Sequence, residues 1–127
     1  MRNIQLAAAL AALAIAAPAV AQSGWTRLGH REVSDSINRD TIRARGGAQY
    51  RQAMICVEQA PVRFIDVVIR YRNGGTQDVR MRELIRAGGC TRDINLRGRS
   101  RDIDAVEFTY EAASLGRERA RVELFAR

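Results

Sequence analysis

The chain has 127 residues and a formal net charge of +7, and all 21 of its basic residues are arginine. A single histidine and two cysteines exclude a multi-histidine metal cage and a cysteine-dense scaffold, both of which need several clustered ligands. The length fits one domain, large enough to bury about two thirds of its unfolded surface in a core without help from a metal.

Arg2 precedes an apolar, alanine-rich run from Ile4 to Val20 that closes on Ala19-Val20-Ala21. A positive start, an apolar middle and small residues at the end form the pattern of a secretory signal peptide. The alanine content and Pro18 argue against a membrane anchor, and no cysteine follows to mark a lipoprotein. Residues 1–21 are therefore expected to be removed. That leaves 22–127 as a single domain, periplasmic or secreted, with no transmembrane segment in the mature chain.

Trp25 to Val33 reads as a first strand with a bulge at Gly29, because Trp25, Leu28 and Val33 share no clean period. Ser34-Asp35-Ser36 is turn-forming. Ile37 to Ala44 alternates as a second strand, with Asp40, Ile42 and Ala44 on one side. Gly46-Gly47 ends it. Tyr50 to Val57 is a third strand with apolar residues on both faces, the mark of a central position. Pro61 closes that segment, since it has no N–H for a ladder. Phe64 to Arg72 follows, and Asn73-Gly74-Gly75 is the strongest turn signal in the chain. It predicts a hairpin of Val67–Arg72 with Gln77–Glu83. Leu84-Ile85-Arg86 extends that strand or forms a brief helical turn, and Gly88-Gly89 breaks it.

Ile94 to Leu96 and Ile103 to Tyr110 form two further strands around Gly98, Glu111 to Glu118 is a loop, and Arg119 to Phe125 is a last strand with Ala120, Val122 and Leu124 inward. Residues 53–71 and 92–110 match each other at a fixed offset. Ile55 aligns with Ile94, Val57 with Leu96, Phe64 with Ile103, Val67 with Val106, Ile69 with Phe108 and Tyr71 with Tyr110. About eight short strands between turn signals, two of them repeated in pairs, predict an all-β antiparallel sandwich. The repeat predicts two similar hairpin units facing one another.

An even cysteine count in an exported domain predicts one disulfide, Cys56 with Cys90. Cys56 has the opposite parity to Ile55 and Val57, so the bridge should lie off the main core face. Arg92 shares parity with Ile94 and Leu96. It is expected to turn inward and form a structural ion pair with Asp40, the fixed geometry that suits a guanidinium.

Thr91-Arg92-Asp93-Ile94-Asn95-Leu96-Arg97-Gly98, followed by Arg101-Asp102-Ile103 and by Val106 and Tyr110 in strand spacing, resembles the pattern of a family of small exported bacterial domains of unknown function. Asn73-Gly74 and the Trp25 to Gly29 opening fit the same resemblance. Thr91 and Asn95 depart from it, standing where the family pattern has Ser and Asp. The resemblance implies a β-sandwich in the bacterial envelope. It assigns no activity and carries over no catalytic residues.

The candidates for chemistry are few. His30 would need Asp35 or Asp40 to orient it and Ser34 or Ser36 to attack, and no nucleophile-elbow string surrounds either serine. Asp102 and Asp104, with Asp66 at the equivalent junction of the first unit, offer carboxylates for calcium, but no calcium-loop pattern is present and nearby Arg99 and Arg101 supply counter-charges. The densest basic run is Arg97-Gly98-Arg99-Ser100-Arg101. In an extended segment those three arginines point the same way and grip phosphate or sulfate. Nucleic acid is not the expected partner, because no aromatic stacking platform lies among them. No catalytic, metal or cofactor site is expected. The reading is a non-enzymatic exported module that binds another envelope component, an unknown envelope protein or an anionic polymer, or stabilises a complex. The alternative is an anion-binding module for an envelope polyanion such as lipopolysaccharide through Arg97, Arg99 and Arg101, with a small hydrolase as the weakest option.

Overall fold

A computed structural model describes residues 24–33, 37–112 and 119–127. The expected leader (1–21) with its cleavage site, Ser34-Asp35-Ser36 and residues 113–118 of the expected loop 111–118 lie outside the described residues, and Glu111 and Ala112 of that loop belong to the strand before it. Those described form nine strands and no helix, so no helix among them is long and apolar enough to cross a membrane. The strands are β1 (Thr26–Val33), β2 (Ile37–Arg43), β3 (Gln52–Glu58), β4 (Val62–Tyr71), β5 (Thr76–Val79), β6 (Leu84–Ile85), β7 (Ile94–Asn95), β8 (Ile103–Ala112) and β9 (Ala120–Ala126).

They build two antiparallel sheets. One has the order β1-β9-β3-β7, and the other has the order β2-β8-β4-β5 with β6 also on β4. The all-β antiparallel sandwich read from the alternation is the fold. The core follows from period two: Ile55, Val57, Val122 and Leu124 from one sheet meet Phe64, Val67, Ile69, Val106, Phe108 and Tyr110 from the other, all essentially inaccessible. Phe108 packs edge-on to Phe64 at 5.8 Å and tilts against Tyr110 at 5.5 Å between ring centres, geometries that favour the aromatic quadrupole. β3 is central, as its two apolar faces require. Its second face holds Met54 and Cys56 in a satellite cluster with Trp25 and Phe125.

The repeat is real but its arrangement is not a pair of hairpins. In each unit the first strand lies in one sheet and the second in the other: β3 then β4, β7 then β8. The two units pair side by side, β3 with β7 and β4 with β8. Val68 stands opposite Glu107, its own equivalent in the repeat, so a local twofold passes between them. The reason is that short connections carry the chain across the sandwich. After β3, residues 59–61 do this with Gln59 at a φ of 76°, a left-handed conformation uncommon outside glycine.

One detail differs from the periodicity, and the expected bulge is present. The hairpin partner of β4 ends at Val79, and Leu84–Ile85 is a separate strand paired with Val62–Arg63, neither an extension of β5 nor a helical turn. The bulge in β1 falls between Arg27 and Gly29, which turns Leu28 into the core. Gly29 passes so close to β2 that a Cβ would stand 2.6 Å from the Arg43 carbonyl oxygen, so only glycine fits at this corner.

Candidate anion-binding pole

Paired strands run antiparallel, and the connections after β2, β4 and β7 return to the same end. Residues 44–51, 72–75 and 96–102 meet at one pole and are stitched together there. Tyr50 and Arg101 exchange backbone hydrogen bonds of 2.8 Å, the Leu96 N–H donates to Arg51 O, and the N–H groups of Arg51 and Gln52 donate to Arg127 O. Arg72 is the hub. Its guanidinium donates to Asp102 Oδ2 at 3.2 Å and Asp104 Oδ1 at 2.9 Å, and to the carbonyls of Ile103 and Ala44. Gly46 lies against that guanidinium, where a Cβ would stand 2.6 Å away.

The pole carries more arginine than acid. Arg72 takes both Asp102 and Asp104, Arg43 approaches Asp104 at 3.7 Å, and Arg127 pairs with Asp93 at 3.2 Å. Arg45, Arg51, Arg97 and Arg99 are exposed and have no acidic partner among the described residues. An open concavity of about 720 Å³ lies beside two of them, lined by Arg51, Gln52, Asn95, Leu96, Gly98, Arg99 and Arg127. Its amides are held in place: Gln52 Nε2 donates to Asn95 Oδ1 at 3.0 Å, and Arg127 Nε donates to Gln52 Oε1 at 2.9 Å. Arg127 is fixed from behind as well, its guanidinium 4.4 Å from the centre of the Trp25 ring.

The segment 97–101 is a turn and not the extended run that would align its arginines. Gly98 has a φ of 86°, which ends the alternation. Arg101 folds back, stacking 3.6 Å over the Tyr71 ring and donating to Arg97 O at 2.9 Å. Its role is to hold the turn closed. Arg99 faces the concavity, and Arg97 stays exposed beside it while its N–H donates to the side chain of Gln77 at 2.8 Å. Arg51 and Arg127 complete the site and were not read from sequence, because their convergence depends on which strand ends share a pole.

The Arg92–Asp40 ion pair does not form. Asp40 accepts from the Tyr110 hydroxyl at 2.7 Å and pairs with Arg31 at 3.3 Å, while Arg92 is exposed. β7 begins only at Ile94, so its parity does not reach back to Arg92, and β7 and β2 lie at opposite edges of the sandwich. The buried partner in that stretch is Thr91, whose hydroxyl accepts from Ile55 N–H at 3.1 Å and donates to Arg92 O at 2.9 Å.

Cys56 and Cys90 are joined by a disulfide across 34 residues, on the outer face of β3 that the parity of Cys56 dictates. His30 is exposed on β1. Asp40, its nearest expected orienting acid within the described residues, is engaged by Tyr110 and Arg31, and Ser34, Asp35 and Ser36 lie outside them. Asp66 shares a hydrogen bond with Asp78, a carboxyl pair not legible in the sequence because the two residues sit on different strands.

The family model for a domain of unknown function, DUF2541, matches residues 6–126. A comparison with curated proteins found no match. Among solved structures, AlgX of Pseudomonas aeruginosa is similar at 15% identity with a TM-score of 0.49, over 80% of this chain and 26% of that one. The chain thus spans about a quarter of the length of that protein.

Proposed function

The chain belongs to DUF2541, a family of domains of unknown function, and from that premise we propose that it is an exported, non-catalytic module whose arginine pole binds an anionic polymer of the cell envelope, such as lipopolysaccharide. The observation that carries this reading is the set of exposed arginines without acids beside the concavity of Arg51, Arg99 and Arg127. Gathering like charges at one end costs stability through mutual repulsion, and an anionic partner offsets that cost. A guanidinium presents a planar fork to carboxylate, phosphate or sulfate, and the fixed amides of Gln52 and Asn95 add hydrogen bonds for neutral oxygens.

Export is supported by the leader-like run from Ile4 to Val20 and by the disulfide, a bond that persists in oxidising compartments. The absence of catalysis is supported by the engagement of Asp40, Asp102 and Asp104 in structural ion pairs and of both cysteines in the disulfide.

The test is retention on a heparin column in a salt gradient. Arg51→Ala/Arg99→Ala should elute at clearly lower salt than wild type, whereas Arg63→Ala/Arg86→Ala, which removes the same charge away from the pole, should shift little. Equal shifts for the two variants would show that net charge alone governs retention and would overturn the reading.

A further inference from the structure

We infer that the ligand is a linear anionic polysaccharide several residues long, which crosses the pole from the concavity of Arg51, Arg99 and Arg127 to a second site at Arg43 and Arg45. This rests on the proposed anion-binding reading and specifies its ligand. The second site is an open concavity of about 660 Å³ whose lining includes Arg27, His30, Arg43 and Arg45. It lies where the start of β1 meets the end of β2.

Its charge is available for a ligand. Arg43 is loosely held, with its side chain 79% exposed and its nearest carboxylate at 3.7 Å, and Arg45 is exposed with no acidic partner among the described residues. Arg27 is committed to the buried Glu123 at 2.9 Å and serves as a wall.

The two concavities belong to one end of the sandwich. The first opens at β3 and β7, the second at β1, and the sheet order β1-β9-β3-β7 places them two to three strand spacings apart, roughly 10–15 Å. A single anionic group reaches one of them. A chain of several sugar residues reaches both, and its second contact then forms at a high effective concentration.

The chemistry of the pole favours a saccharide over other polyanions. Stacking of nucleic-acid bases needs exposed aromatic faces, but Trp25 and Tyr71 are buried, with Arg127 and Arg101 over their rings. Insertion into a lipid surface needs exposed apolar side chains, and the leucines that line the two concavities, Leu96 and Leu28, are buried. Amides beside guanidinium groups match hydroxyls beside carboxylates or sulfates.

The experiment measures affinity for size-fractionated heparin oligosaccharides, from disaccharide to dodecasaccharide, through the fluorescence of the single tryptophan, which contacts Arg127. Wild type should show a step of at least about tenfold in affinity once the chain spans both sites. Arg43→Ala/Arg45→Ala should lose the step, and Arg45→Ala alone should reduce it. If short chains bind but both variants keep the length dependence of wild type, the second site is wrong while the pole reading stands. If no chain binds at any length, both fall. Tighter binding of single-stranded DNA or of anionic vesicles than of the longest saccharide would overturn the ligand class.

Discussion

Asp66 on β4 and Asp78 on β5 share a hydrogen bond on the solvent face of their sheet, with Ile65, Arg80, Met81 and Arg82 around them. Burial, then the hydrogen bond and the charge of Asp78, raise the pKa of Asp66 above its ordinary 3.8, against a smaller lowering by the backbone of Val67 and by Arg39. The folded protein therefore holds this proton more tightly than the unfolded chain, and the stability it contributes is lost as pH rises from about 3.8 through the raised value. Asp78→Asn removes the repulsion between two ionised groups. Its thermal midpoint should exceed that of wild type at pH 7, and the difference should shrink below pH 3.8. An equal difference at both pH values would contradict the shared proton. Glu107 behaves in the opposite sense: the hydrogen bond from Arg70 lowers its pKa, but the pair is so exposed that screening leaves it a minor contributor.

At the scale of elements, the short edge of the sandwich at β5 and β7 is closed by one side chain. Gln77 is 8% exposed. Its Nε2 donates to Asn95 O at 3.0 Å, and its Oε1 accepts from the Arg97 N–H at 2.8 Å and from the Tyr71 hydroxyl. The amide of a β5 residue thus stands in for a strand between the two sheets and holds the turn that carries Arg97 and Arg99. Gln77→Ala leaves several buried groups without partners and should cost about 2–3 kcal/mol, measured by urea denaturation. A loss under about 0.5 kcal/mol would mean that water replaces the amide. The disulfide adds a separate constraint. Closing the 34-residue span restricts the unfolded chain by about 3–4 kcal/mol on the entropy model.

Gln77 also marks where the sequence is informative and where it stops. Its inward side is legible, because it shares parity with the buried Val79 and Met81, but its partners come from β7 and cannot be read from local pattern. The same division holds elsewhere. Alternation identified the long strands, the bulge beside Gly29 and the outer position of Cys56, all of which depend on neighbours a few residues away. It misplaced Arg92, because parity has meaning only within a strand and β7 is two residues long. It aligned Arg97, Arg99 and Arg101 as an extended run because a left-handed glycine cannot be told from an ordinary one by period alone.

For the whole molecule, the organising fact is the gathering of arginine on the three connections at one end of the sandwich. The connections 44–51, 72–75 and 96–102 hold Arg45, Arg51, Arg72, Arg97, Arg99 and Arg101 against a single acid, Asp102. This grouping needs the strand directions as well as their number, because residues 80–83 join two strands that both run antiparallel to β4. The placement of Arg127 beside them needs the sheet order as well. The fold itself supplies only the frame, since one sandwich serves many functions, and the side chains at the pole carry the function. Mapping backbone amide NMR shifts during titration with a heparin dodecasaccharide tests this most directly. The account predicts perturbations confined to residues 25–30, 43–52, 72–76, 95–102 and 127. Shifts centred instead on residues 58–63 and 82–90 at the other end, or no shifts at saturating ligand, would contradict it.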